Sequence, residues 1–85
     1  MAIPAELKSA LNEMRAVRAR RPQGPSTTRQ YAEWRINMAV ALESLSAVLS
    51  HPADRQMATE EAAAARAEAS SIIQAIESPH ADQEQ

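Results

Sequence analysis

The chain has 85 residues, a net charge of −2 and no cysteine, which allows one small domain and excludes disulfide staples, thiolate chemistry and cysteine-ligated metal. Its apolar residues divide into 19 alanines and 19 larger side chains with no phenylalanine, so helix is favoured while little area can be buried. No run approaches the roughly 18 apolar residues of a membrane span, and the N-terminus lacks a charged-then-apolar leader pattern, so a cytoplasmic location is expected.

The first helix is expected over about residues 4–20. Pro4 suits a first helical turn, and Ile3, Leu7, Leu11, Met14 and Val17 recur on one face. Arg21 precedes Pro22 and is biased away from helical dihedrals. Residues 21–26 form the linker, with the only glycine and two of the five prolines in Pro22-Gln23-Gly24-Pro25.

The second helix is expected over 27–49, opened by a capping box of Thr27 with Gln30. Its main stripe, Tyr31, Trp34, Met38, Ala41, Leu45 and Val48, alternates steps of three and four and is widened by Leu42 and Leu49. Ile36, Val40 and Ala47 lie on the other side, so this helix should be central, with two neighbours. Ser50-His51-Pro52 leaves room for only a tight turn.

The third helix is expected over 52–77. Asp54 stands in its first turn, where the helix dipole favours an anion, and Ser78-Pro79 ends it. Its stripe is slim: Ala58, Ala62, Ala65, Ala69, Ile72 and Ile76. Residues 79–85 are polar and expected to be a disordered tail, leaving a single domain over 1–78. The fold class that follows is all-α. Two long helices form an antiparallel hairpin joined by a shorter N-terminal helix, as a three-helix bundle or a dimeric four-helix-type bundle.

The small net charge conceals an asymmetry. Residues 1–35 hold seven basic and three acidic residues, a net +4; residues 36–85 hold two basic and eight acidic, a net −6. The simplest expectation is that the basic third lies against the acidic last helix, within a chain or across a dimer.

No constellation for chemistry emerges. His51 and His80 are the only histidines and lack further ligands at metal-binding spacing; no Gly-rich phosphate loop or nucleophile elbow is present. The expectation is no enzyme, no cofactor, no metal and no small-molecule substrate or membrane partner. Tyr31 and Trp34, one turn apart in register with Met38, read as a plug for the end of the bundle rather than a base-stacking pair. The expected function is a non-enzymatic helical protein-protein interaction module, an adaptor, regulator or accessory subunit. The Arg-for-Lys and alanine bias suggests a bacterial or phage gene. Self-association as a homodimer is expected through Leu7, Leu11, Met14, Ile36, Val40 and Ala47. The alternative is a nucleic-acid-associated regulator using Arg15, Arg18, Arg20, Arg21, Arg29 and Arg35.

Overall fold

The computed structural model describes residues 4–77 and contains three helices, α1 (Ala5–Ala19), α2 (Arg29–Val48) and α3 (Pro52–Glu77), with no strand among the described residues. The expected core position Ile3, the boundary at residue 78 and the tail 79–85 lie outside the described residues. All three helices form near their expected limits, and the all-α bundle is realised within one chain.

Local chemistry sets the ends. Pro4 precedes α1 with φ −55° and ψ 144°, and its carbonyl accepts from Lys8 N–H at 3.0 Å. The helix tightens as it stops: Arg20 N–H donates to Val17 and Arg21 N–H to Arg18, the three-residue reach that closes many helix ends before proline. Helix α2 begins one residue later than the capping box predicts. Thr28, not Thr27, is the N-cap, and its Oγ1 accepts from Tyr31 N–H at 3.1 Å. With the cap at 28, the third helical residue is Tyr31, so Gln30 cannot complete a box. Gly24, between Pro22 and Pro25, takes φ +100°, a backbone conformation that side chains disfavour and glycine tolerates. Leu49 is extended, and α3 starts at Pro52 with the His51 carbonyl accepting from Arg55 N–H.

The α2–α3 pair is antiparallel. Arg29 pairs with Glu77, Arg35 with Glu68, Glu43 with Arg66 and Ser46 with Thr59, so partners fall along α3 as positions rise along α2. Helix α1 also runs against α2: Val17 meets Trp34, while Met14, a turn earlier, stands with Leu42 farther along. Helix α2 is therefore the central element, and α1 and α3 barely touch each other.

The core joins Met14 and Val17 of α1 with Tyr31, Trp34, Met38, Ala39, Ala41 and Leu42 of α2 and Ala58, Ala62 and Ala65 of α3. This changes one expectation. The bulky α2 stripe does not serve α3 alone; α1 and α3 share it from either side. Ala32 and Ala39, both 0% exposed, extend the packed surface toward α3 in line with Arg35 and Ser46, which bond to that helix. Helix α1 settles on the side that carries Trp34. The Ile36–Val40–Ala47 side, expected to receive helix one or another subunit, has no helix over it among the described residues: Val40 is 45% exposed and Ala47 is exposed. The physical reason is size. A stripe holding Trp34, Met38 and Leu42 is wide enough for two neighbours when one of them is lined with alanine.

Candidate interaction groove

Because α1 and α3 flank the same surface of α2 without closing on each other, a groove runs between them. Near the linker it is filled. The indole of Trp34 is 8% exposed, its Nε1–H donates to the Val17 carbonyl at 2.7 Å, and its ring centroid lies 5.5 Å from that of Tyr31. The guanidinium of Arg21 sits 5.7 Å from the Trp34 ring and 5.8 Å from Tyr31, and that of Arg35 lies 6.0 Å from Trp34, distances at which a cation is drawn to the ring quadrupole.

Toward the α2–α3 turn the filling runs out. Leu45, Val48 and Leu49 are only half-buried, and a cavity of about 250 Å³ opens, wide to solvent. Its floor is Leu42 and Leu45 of α2 with Leu49 just beyond the helix end. Met14 and Arg18 of α1 line one wall; Asp54, Met57, Ala58 and Glu61 of α3 line the other. Met57 is 60% exposed, the highest value among the exposed large apolar side chains of the described residues. The groove thus has an apolar base, a basic lip at Arg18 and an acidic lip at Asp54 and Glu61. These opposite charges make no ion pair with one another among the described residues.

The expected association residues are divided by the fold. Met14, at 5% exposure, is committed to the core of its own chain. Leu7 and Leu11 are half-buried and share a stripe with Met14 and Arg18 at helical spacing, on the groove side of α1. Ile36 (half-buried), Val40 and Ala47 lie on the uncovered side of α2 and are not brought together with Leu7 and Leu11. Sequence reasoning passed over Leu42, Leu45, Leu49 and Met57 as a surface. The first three belong to the stripe assigned to the core. Met57 falls one position before the alanine stripe, and that offset was the available signal.

The arginine cluster is also divided. Arg29 Nη2 lies 3.3 Å from Glu77 Oε2, and Arg35 Nε lies 2.6 Å from Glu68 Oε1, though out of line for a directed hydrogen bond. The basic start of α2 therefore does meet the acidic last helix within one chain. Arg21 caps the aromatic pair. Arg15, Arg18 and Arg20 are exposed and have no carboxylate at ion-pair distance among the described residues. Arg66 grips Glu43 through two bonds of 2.7 and 2.8 Å. Those hydrogen bonds hold the Glu43 carboxyl below its ordinary 4.5; desolvation opposes the shift and the guanidinium charge adds to it. The same bonds raise Arg66 above its own ordinary value.

A second cleft of about 220 Å³ lies beside the linker, lined by Arg20, Pro22, Gln30, Glu33, Trp34 and Asn37. Among the described residues no three His, Cys, Asp or Glu side chains are grouped to hold a metal ion, and no helix is long and apolar enough to cross a membrane. No protein-family model, curated protein or solved structure matches the chain.

Proposed function

We propose that the protein is a non-enzymatic helical interaction module that works by association through apolar helix faces, with a second copy as its first partner. Its role would be that of an adaptor, regulator or accessory subunit of a bacterial or phage assembly in the cytoplasm. The observation that carries the reading is the groove at the turn end of the bundle. Half-filled apolar floors with a highly exposed methionine at the lip are how proteins seat a helix or another subunit.

The thinness of the core supports the same reading. Among the described residues, the buried apolar side chains larger than alanine are Met14, Val17, Tyr31, Trp34, Met38 and Leu42, and no large side chain is fully enclosed. At about 1.5–3 kcal/mol each those six contribute about 9–18 kcal/mol before ordering the chain is counted, so added burial from a partner would matter.

Sedimentation equilibrium across micromolar concentrations tests the proposal. The expected result is a reversible shift from monomer toward dimer; a monomer at every concentration argues against self-association. The nucleic-acid alternative has less support, because Arg29 and Arg35 are paired, Arg21 is stacked, and the aromatic faces it would need are buried. It would rest on Arg15, Arg18 and Arg20, and a gel shift with duplex DNA at low salt would be its signature.

A further inference from the structure

We infer that the groove itself, not the Ile36–Val40–Ala47 side of α2, is the self-association surface, and that two copies meet groove to groove about a two-fold axis running along it. The inference rests on the proposal of self-association and specifies its geometry. Charge complementarity carries it. One lip of the groove carries Arg18 and the other carries Asp54 and Glu61, and among the described residues the two lips form no ion pair with each other.

A two-fold axis parallel to the groove carries each basic lip over the partner's acidic lip. Both sets of charges are then satisfied at once, as an isologous interface requires. A head-to-tail arrangement would satisfy one set per contact and leave the other open, so it would not close at two copies. Between the lips, Met57 of each copy projects into the space over Leu45 and Leu49, and unbranched methionine suits that irregular gap. The Ile36–Val40–Ala47 side offers no such pairing: its neighbour Glu43 is already engaged by Arg66.

The test uses the full chain and two charge reversals, Arg18→Glu and Glu61→Arg, with dimer affinity read by sedimentation equilibrium. Arg18→Glu sets acid against acid across both halves of the interface and should weaken dimerisation by at least about tenfold, while Glu61→Arg sets a cation against Arg18 beside the remaining Asp54 and should weaken it by at least about threefold. An equimolar mixture of the two variants restores opposite charges at both lips, so the mixture should form a heterodimer within about threefold of wild-type affinity. Circular dichroism checks that each variant is helical. Met57→Asp should weaken the dimer comparably, whereas Val40→Ser should leave it within about twofold.

If wild type dimerises but the reversals do nothing and Val40→Ser disrupts it, the groove assignment is wrong while self-association stands. If wild type stays monomeric throughout, both fail. If the single variants weaken but their mixture does not recover, the facing-lip geometry is overturned.

Discussion

Trp34 ties α1 to the rest of the molecule, and replacing it with phenylalanine measures how firmly. The change removes the indole N–H that donates to the Val17 carbonyl at 2.7 Å, and it removes part of a ring that is 8% exposed. The carbonyl is not orphaned, because Arg20 N–H still donates to it at 3.0 Å. The hydrogen-bond loss should therefore stay near the lower end of about 0.5–1.5 kcal/mol. Trimming the buried ring adds about 1–2 kcal/mol through lost transfer energy and imperfect collapse. The sum is about 1.5–3 kcal/mol. For a domain of this size, with a urea dependence of about 1 kcal/mol per molar, the midpoint should fall by about 1.5–3 M. Urea titration followed by far-ultraviolet circular dichroism at one fixed protein concentration reads the change, since association would move the midpoint with concentration. Tyr31→Phe is the control, because the Tyr31 hydroxyl makes no hydrogen bond among the described residues. A Trp34→Phe midpoint within about 0.5 M of wild type would refute the reasoning that α1 is anchored through this indole.

Three further outcomes are expected. Thr28→Ala removes the oxygen that accepts from Tyr31 N–H, and stability should fall by about 0.5–2 kcal/mol in the same urea assay, with no loss of helix elsewhere. Ala39→Leu forces a large side chain into the packed α2–α3 surface, where Ala39 is 0% exposed. It should destabilise by about 1–3 kcal/mol although it adds apolar area, read as a lower thermal midpoint. Glu43 has its folded pKa depressed by Arg66, so its contribution is present above the ordinary 4.5 and is lost as pH falls through the depressed folded value. Wild type should therefore exceed Glu43→Gln in stability at neutral pH, and the difference should shrink toward zero as the buffer is acidified below 4.5. Urea titrations of both proteins over that range show it.

The helices were legible because their signals are local. Three-and-four spacing marks Tyr31, Trp34 and Met38 as one surface and Ala58, Ala62 and Ala65 as another, and Pro22, Gly24 and Pro52 punctuate between them. The antiparallel hairpin followed from a short turn between long helices. What periodicity could not reveal was which neighbour lies against which flank of α2. Ala32 and Ala39 look unremarkable as alanines in a helix, yet their smallness lets α3 approach on that side. With α3 there, α1 takes the Trp34 side, leaving Val40 exposed and Ile36 half-buried.

The site was hidden for a related reason. Leu45 and Leu49 continue a core pattern in sequence, and only the positions of α1 and α3 show that among the described residues the pattern runs on to where it is half covered. The charge asymmetry was half legible. Arg29 and Arg35 do meet acids of α3, but Arg18 stands across a gap from Asp54 and Glu61 that no composition count describes.

Helices α1 and α3 flank one stripe of α2 and leave a groove between them. Nuclear Overhauser contacts in a mixed labelled and unlabelled sample, filtered to keep intrachain signals, test this arrangement directly. It predicts contacts from the Trp34 indole to Val17 and from Met38 to both Met14 and Ala65, with none from Val40 to α1. Intrachain contacts from Val40 or Ala47 to Leu7 or Leu11, with Trp34 free of Val17, would contradict it and close the groove on paper.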